Sequence, residues 1–176
     1  MNGFRIAIFF FVVILIFSLS AYVLKNNFLL LTSSPTENTP VHVQKVIDGD
    51  TIDVIIDGKN ERVRFIGIDA PEFGYDGNPD MCFAKEGYQK LKELVDGKTV
   101  RLEVDSTQDD RDKYGRLLRY VFLEDGTHVN EMMINGGFVR EYTYLGNFYL
   151  YQRDFQEAEK KAQTGKSGFW ADGVCE

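Results

Sequence analysis

Alternating apolar and polar positions divide the chain beyond residue 40 into short strands separated by helices. Runs at residues 41–46, 51–56 and 61–68 predict three strands, with a hairpin turn at residues 57–60 between the last two. The other predicted elements are strands at residues 99–104 and 117–123 and helices at residues 83–95, 129–135 and 150–163. This order favours an α+β fold built on a small, partly open barrel of the oligonucleotide-binding (OB) type, with an open antiparallel sheet as the alternative.

An uncharged apolar run precedes this pattern at residues 6–24, and Arg5 is the only charged side chain before Lys25. As a helix the run would extend about 28 Å, close to the hydrocarbon thickness of a bilayer. Residues 1–24 are therefore predicted to be a retained membrane anchor or a cleaved signal peptide, with a buried core helix as the weaker alternative. Either of the first two makes the protein extracytoplasmic, anchored or secreted. Polar residues 25–40 predict a linker, which places the folded domain at residues 41–176.

Composition narrows the chemistry that this domain can perform. The 176 residues are 44% hydrophobic and 27% charged, as in a globular protein of one domain with an appendage, and the net charge is −7. An acidic chain lacks the bulk attraction that basic domains exert on nucleic acid. Two cysteines and two histidines, widely separated, exclude a zinc ribbon and a mechanism built on paired histidines. Any catalysis must then depend on carboxylates and arginines.

Two carboxylate clusters occupy the predicted ends of strands. One is the Asp-Gly-Asp-Thr run at residues 48–51, and the other is the Asp-Ala-Pro-Glu run at residues 69–72. If the first and third strands lie side by side, a hard cation would join Asp50 and Asp69, with backbone carbonyls and water completing its coordination. Taken alone, the Asp-Gly-Asp run favours an ordinary turn.

Two arginines are candidates for binding an anion. Arg64 lies within an otherwise apolar strand, where a partly buried guanidinium needs an anionic partner, either an internal carboxylate or a bound phosphate. Alternation places it on the same face as Ile66 and Ile68. Arg116 ends the run Asp-Lys-Tyr-Gly-Arg at residues 112–116, beside a glycine that allows close backbone approach. The alternative for this run is a solvated charged loop.

Three ordered motifs, at residues 46–51, 64–72 and 112–116, resemble the staphylococcal nuclease (thermonuclease) family. The resemblance extends over residues 41–170 and includes a short helix with Val-Asn-Glu at 129–131, a strand at 137–142 and the Gly-Phe-Trp at 168–170. It implies a five-stranded OB-fold barrel with three helices. It also implies a calcium-dependent phosphodiesterase that acts on DNA and RNA and leaves 3′-phosphates.

Carried over by position, the resemblance implies three sets of site residues. The calcium ligands are the carboxylates of Asp50 and Asp69 and the main-chain carbonyl of Ala70. The catalytic set consists of Glu72 as general base and the arginines Arg64 and Arg116, which grip the phosphate. The nucleotide pocket is lined by Lys113, Tyr114 and Tyr142. Alanine at position 70 departs from the threonine of the founding nuclease, but a main-chain ligand tolerates it. The acidic balance is a second departure and predicts weaker non-specific affinity for DNA.

The function expected from this reading is that of a monomeric nuclease of DNA and RNA, with the membrane as a further partner if the N-terminal segment is retained. A non-catalytic OB-fold module at the cell surface, binding nucleic acid or protein, is the main alternative, and an adhesion or envelope scaffold is another. Against a binding module, three carboxylates near a phosphate would repel it unless a cation intervened.

The cysteines at positions 82 and 175 are predicted to form a disulfide. An N-terminal export segment would place the domain where disulfides persist, and two cysteines in an exported domain usually pair. A bridge between Cys82 and Cys175 would pin the C-terminal tail against the loop at residues 72–81. The alternative is two unpaired thiols near mobile segments.

Overall fold

The structure of the protein is a computed structural model that describes residues 40–175. The predicted segment at residues 1–24 and the predicted linker up to residue 39 lie outside the described residues. Within the part that is described, no helix is both long enough and apolar enough to cross a membrane.

A closed five-stranded barrel with three α-helices forms the described part of the chain, which confirms the OB-type α+β fold and corrects the open-sheet alternative. The strands are β1 Pro40–Val46, β2 Thr51–Ile56, β3 Lys59–Phe65, β4 Ile68–Asp69, β5 Thr99–Glu103, β6 Leu117–Leu123 and β7 Arg140–Glu141. The α-helices are α1 Ala84–Val95, α2 Val129–Asn135 and α3 Gln152–Thr164, and two 3₁₀ helices span Tyr144–Gly146 and Gly168–Trp170. The barrel order is β1-β2-β3-β6-β5, and β3 and β6 run parallel.

Alternation of side chains along the strands builds one core inside the barrel. Val41 and Val43 of β1 point inward, as do Val63 and Phe65 of β3. The helices cover the core with apolar stripes, represented by Leu91 of α1, Met133 of α2 and Phe155 of α3, all fully buried. Burying a side chain of this size stabilises the fold by about 1.5 to 3 kcal/mol.

The β2–β3 hairpin is tighter than the sequence predicts. Asp57 and Gly58 have φ angles of 50° and 74°, and Ile56 pairs directly with Lys59. This is a two-residue turn whose backbone twist matches that of the flanking strands. Strand β3 therefore begins at Lys59, two positions before the predicted start.

The predicted strand at residues 61–68 is interrupted, because the chain turns at Ile66 and Gly67. Gly67 has a φ of 75°, and a Cβ added there would lie 2.6 Å from the Tyr149 ring, so only glycine fits. Ile68 consequently belongs to β4, which pairs with β7 in a separate two-stranded sheet. Arg64 and Ile68 do not share one continuous strand face, and the strand implied at residues 137–142 is reduced to the two residues of β7.

The first and third strands do not lie side by side, so the arrangement that was assumed for a cation site at Asp50 and Asp69 is wrong. Strand β2 pairs with both β1 and β3 and lies between them. Sequential strands joined by short turns become neighbours, so the meander fixes this order. Any approach of Asp50 to Asp69 must arise through the β2–β3 pair instead.

A disulfide joins Cys82 to Cys175, as predicted, with a Cα–Cα distance of 5.7 Å. Cys82 lies just before α1, and Cys175 follows the last 3₁₀ helix. The bridge closes a loop with a sequence separation of 93 residues. It thus ties the C-terminal tail to the end of the loop at residues 72–81.

Removing this bridge should destabilise the protein with little change in its fold. For the full chain carrying both Cys82→Ser and Cys175→Ser, we expect the free energy of unfolding to fall by about 2 to 4 kcal/mol, because a long loop is no longer closed in the unfolded state. Urea unfolding measures the loss, and a reductant should destabilise the parent but not the variant. Two alkylated cysteines in unreduced protein from an oxidising compartment would contradict the bridge.

Candidate active site

The β2–β3 hairpin brings the first carboxylate cluster to the arginine of β3. Asp50 immediately precedes β2, and Thr51 lies directly opposite Arg64 across the strand pair. The carbonyl of Asp50 accepts a hydrogen bond from the Phe65 N–H at 2.9 Å. Strand pairing alone therefore places the Asp50 and Arg64 side chains at the same end of the hairpin.

The carboxylate of Asp50 is buried, and its side chain is only 5% exposed. Its Oδ2 accepts a hydrogen bond from the Ala70 N–H at 2.7 Å and lies 3.0 Å from Arg64 Nη2. Its Oδ1 accepts the Thr51 hydroxyl at 2.9 Å. Burial nevertheless raises the pKa of Asp50 to about 7, against the opposing charge of Arg64. This carboxylate is thus held in place by several donors and still lacks enough positive charge to offset its burial.

Close packing of two loops explains why position 49 is a glycine. A Cβ added at Gly49 would lie 2.7 Å from the Cβ of Ala70. The loop before β2 and the segment after β4 approach closely only because position 49 has no side chain. That approach is what allows the Ala70 N–H to reach the Asp50 carboxylate.

Arg64 connects the two predicted carboxylate ligands. Its Nη2 lies 3.0 Å from an oxygen of Asp50 and 3.0 Å from an oxygen of Asp69. Its Nη1 donates to the carbonyls of Phe65 at 2.8 Å and Ile68 at 2.7 Å. The sequence left open whether the Arg64 guanidinium pairs with an internal carboxylate or with a bound phosphate, and in the structure it pairs with internal carboxylates. These contacts hold both carboxylates and the intervening turn around the guanidinium of Arg64.

Asn130, to which sequence reasoning assigned no role, fixes this turn from inside the protein. The residue is fully buried in α2, and its Nδ2 donates to the Ile66 carbonyl at 2.9 Å. Its Oδ1 accepts the N–H of Val121 in β6 at 3.0 Å. The amide therefore fastens the turn that leads to Asp69 onto the barrel wall. A single buried asparagine in a short helix carries no local sequence signal of such a contact.

Glu72 lies on the surface at the start of a loop that closes on itself. Its N–H donates to Met81 Sδ at 3.4 Å, and its carbonyl accepts the N–H of Met81 at 2.9 Å. The loop at residues 72–81 is therefore held together at its base, one residue before the disulfide at Cys82. Glu72 is tethered through its backbone, and its side chain is left to reach solvent.

The charges that act on the Glu72 carboxyl group come from neighbouring carboxylates and from both arginines. Partial burial of its carboxyl group, and then the charges of Asp48 and Asp69, raise the pKa of Glu72. Arg64 and Arg116 act in the opposite direction. A carboxylate with a raised pKa within the electrostatic influence of two guanidiniums is suited to accepting a proton beside a bound anion.

Arg116 is oriented by Asp112, whose role in this run was not predicted. Asp112 Oδ2 accepts the Arg116 Nε–H at 2.6 Å, and Oδ1 accepts the backbone N–H groups of Tyr114 and Arg116, each at 2.9 Å. Burial raises and these hydrogen bonds lower the pKa of Asp112, and the net shift is downward. The run is thus a structured turn rather than the solvated loop of the alternative. An aspartate four residues before an arginine was the available signal.

The predicted nucleotide-binding residues include exposed aromatic side chains, and of these residues Lys113 and Tyr114 lie next to Arg116. Lys113 Nζ lies 4.9 Å from the centre of the Tyr114 ring, and the Arg116 guanidinium lies 5.4 Å from the same ring. The centres of the Tyr142 and Tyr144 rings lie 6.3 Å apart. Tyr114, and more weakly Tyr144, raise the pKa of Lys113, which places Tyr144 in the same neighbourhood. Tyr144 was not predicted as a site residue.

A metal at this site would depend on few side chains. Residues 40–175 contain no group of three or more His, Cys, Asp or Glu side chains arranged to hold an ion. The donors that do converge are the carboxylates of Asp50 and Asp69, next to the backbone of Ala70. An all-oxygen set completed by water suits calcium, whose coordination is flexible. The raised pKa of Asp50 fits such a cation, since added positive charge would favour its ionised form.

A closed OB-type barrel with carboxylates and guanidiniums clustered at the end of the β2–β3 hairpin defines the class of the protein, an OB-fold domain with a charged candidate active site. A family model described as "Staphylococcal nuclease homologue" matches residues 62–172. The chain belongs to the staphylococcal nuclease family, as its motifs predict.

Relatives in several bacteria share this part of the chain. A thermonuclease of Staphylococcus hyicus is 38% identical over 130 residues, covering 74% of this chain and 75% of the relative. A thermonuclease of Staphylococcus intermedius is 38% identical over 128 residues, with 73% and 74% covered. Endonuclease YncB of Bacillus subtilis is 38% identical over 135 residues, and the match spans 74% of this chain but 61% of that endonuclease.

The charge of Asp48 should be measurable in the titration of Glu72. Because Asp48 helps to raise the pKa of Glu72, Asp48→Asn should lower that pKa, so that the Glu72 carboxylate persists to lower pH. The Asp50 N–H bond to Asp48 Oδ1, at 3.0 Å, can be kept by the amide oxygen. A carbon-detected NMR titration of the Glu72 carboxyl measures the shift, with Asp57→Asn in the hairpin turn as the control. An unchanged Glu72 titration would contradict the electrostatic arrangement.

Proposed function

We propose that the protein is a calcium-dependent nuclease that hydrolyses phosphodiester bonds of DNA and RNA and leaves 3′-phosphates. The observation that carries the proposal is the convergence of Asp50 and Asp69 on the Arg64 guanidinium, at 3.0 Å each. Glu72 lies within the electrostatic reach of Arg64 and Arg116 at the same place. An anion beside three carboxylates and two guanidiniums needs a further cation to balance the negative charge, and the oxygen donors suit calcium.

In this proposal calcium is held by the carboxylates of Asp50 and Asp69 and by the main-chain carbonyl of Ala70. Bound there, the ion supplies positive charge that offsets the charge of the phosphodiester. The contacts of Asp50 with the Ala70 N–H and the Thr51 hydroxyl keep its carboxylate oriented. A preoriented ligand needs little reorganisation when the site is filled.

Each catalytic side chain has one part in the hydrolysis. Glu72 takes a proton from a water molecule whose oxygen forms a bond to phosphorus. The bond between phosphorus and the 5′-oxygen breaks, and the 5′-oxygen takes up a proton from solvent water to become a hydroxyl. The phosphate remains on the 3′-side of the cut. Arg64 and Arg116 attract the non-bridging oxygens, whose negative charge rises as the water adds, and this lowers the barrier. Because an arginine stays protonated with a pKa above about 12, both guanidiniums act through charge and hydrogen bonding.

The exposed aromatic surface supports a substrate without strict sequence preference. In this proposal Lys113 contacts a phosphate, and the exposed rings of Tyr114 and Tyr142 stack on bases. Every base of DNA and RNA has such a face, and stacking is worth about 1 to 3 kcal/mol per base. Exposed aromatic faces favour single-stranded or locally opened nucleic acid, whose bases are available.

An extracytoplasmic location is part of the proposal. The disulfide between Cys82 and Cys175 supports it, because such bridges persist in oxidising compartments. A location away from the genome also suits a nuclease that digests both DNA and RNA. The apolar residues 6–24 would supply either the anchor or the export signal, and the catalytic domain would act as a monomer.

Calcium should control both activity and stability. With calcium at a hundred times its dissociation constant, we expect the free energy of unfolding of the full chain to rise by about 2.7 kcal/mol, because the ion binds only the folded state. Asp50→Ala should abolish this increase and the cleavage of single-stranded DNA and RNA. Melting curves and gel assays in calcium and in chelator measure the two effects, and Asp57→Ala is the matched control. Full activity in chelator, equal in the Asp50→Ala variant, would refute the metal assignment.

Loss of a transition-state contact should lower the catalytic rate while the fold is kept. We expect Arg116→Ala and Glu72→Gln to lower the single-turnover rate by about 100-fold or more, as for other oriented donors. Arg64→Ala leaves the buried Asp50 without its cation, so Arg64→Lys, which keeps the charge and loses the planar fork, is tested beside it. Circular dichroism reports folding.

The controls for these variants come from the exposed face of α3. The control variants are Arg153→Ala and Glu157→Gln. Both residues are exposed, and the Arg153 side chain is 86% exposed. Both controls should keep the parental rate and the parental circular dichroism. Near-parental rates in all the site variants would place the active site elsewhere and would favour a non-catalytic binding module.

A further inference from the structure

A pocket of about 320 Å³ has Arg116 in its lining, and its lining does not include Asp50, Asp69 or Glu72. The β2–β3 hairpin contributes three of its lining residues and the turn at residues 112–116 contributes the other three. They are Asp53, Asn60, Arg62, Tyr114, Gly115 and Arg116. Two of these, Tyr114 and Arg116, already belong to the proposed site. The pocket therefore continues the site rather than standing apart from it.

Strand geometry places three guanidiniums on one face of the barrel. Val63 points into the core, so its neighbours Arg62 and Arg64 point outward. Residues two apart on a strand are separated by about 7 Å, a distance that one nucleotide of an extended chain can span. Val63 is paired with Leu117 of β6, and the residues before them, Arg62 and Arg116, are consequently neighbours across the two strands.

Asp53 holds the Arg62 side chain by one edge and leaves the other edge open. The two residues are direct cross-strand partners, and Arg62 Nε and Nη2 donate to the two Asp53 oxygens at 2.8 and 3.2 Å. Asp53 is nearly buried, whereas the Arg62 side chain is 49% exposed. No acceptor among residues 40–175 pairs with Arg62 Nη1. A guanidinium fixed in this way presents a second pair of N–H groups in a set orientation.

We propose that this pocket is a second subsite, which binds the nucleotide next to the scissile phosphate of a single-stranded substrate. The phosphate of that nucleotide accepts hydrogen bonds from the open edge of Arg62, and its base or sugar packs on Tyr114. The inference rests on the proposed nuclease function, since Arg64 and Arg116 define where the scissile phosphate lies. Substrates with more than one phosphate then gain a contact that a single phosphodiester cannot make.

The test compares KM for a dinucleotide with one phosphodiester and KM for a single-stranded tetranucleotide, using the full chain in calcium. The parent should have the lower KM for the tetranucleotide. The KM ratio is the KM for the dinucleotide divided by the KM for the tetranucleotide. Arg62→Ala should reduce this ratio by about tenfold, the effect of losing a charged hydrogen bond. Because Arg62→Ala leaves Asp53 unpaired, the double variant Arg62→Gln with Asp53→Asn is measured as well. Arg153→Ala on α3 serves as the control and should keep the parental ratio.

Binding gives a second readout that does not require cleavage. Fluorescence anisotropy follows the labelled tetranucleotide on the Glu72→Gln chain, in calcium and in chelator, with and without the Arg62 changes. Weaker binding in both Arg62 variants supports the subsite. Parental affinity and a parental KM ratio in both of them would overturn it. A parent that binds through Arg62 but cleaves neither substrate would support the subsite and refute the proposed function.

Discussion

The buried carboxylate of Asp50 is the constraint on which the rest of the site depends. Removing an ionised carboxylate from water costs several kcal/mol unless charges and donors replace its hydration. Here the replacements are Arg64, the Ala70 N–H and the Thr51 hydroxyl. They come from the end of β3, the segment after β4 and the start of β2. Satisfying one carboxylate therefore assembles three separate segments, and the same contacts that stabilise the fold arrange the site.

The turn at Ile66 and Gly67 makes that assembly possible. An uninterrupted β3 would carry Asp69 further along the strand and away from Asp50. Instead Gly67 reverses the chain, and Asn130 holds the Ile66 carbonyl against β6. The turn positions Asp69 so that both carboxylates reach one nitrogen of Arg64. A buried amide with both its groups satisfied rigidifies such a corner at little cost.

Sequence patterns predicted the strands and helices of the barrel, because alternation and helical periodicity report burial directly. They did not predict the break in β3, since Ile66, Gly67 and Ile68 continue an apolar run and the Tyr149 ring that requires glycine is distant in sequence. The side-by-side placement of the first and third strands, on which the cation site was made conditional, was also wrong, because periodicity says which residues form strands and nothing about their neighbours. The partner of Arg64 stayed open for the same reason. Motif resemblance identified the residues that converge, whereas their contacts depend on tertiary packing.

Charge pairing explains how an acidic chain can still present a site for phosphate. The net charge of −7 opposes long-range attraction of nucleic acid. Arg64, Arg116 and Arg62 each have a carboxylate partner, so none of the three is a free positive charge. Each partner instead fixes the direction of a guanidinium, which favours recognition by hydrogen-bond geometry over recognition by field strength. In the proposed function, affinity for substrate then depends on oriented contacts and on the bound cation, and it should vary less steeply with salt than the affinity of a basic nuclease.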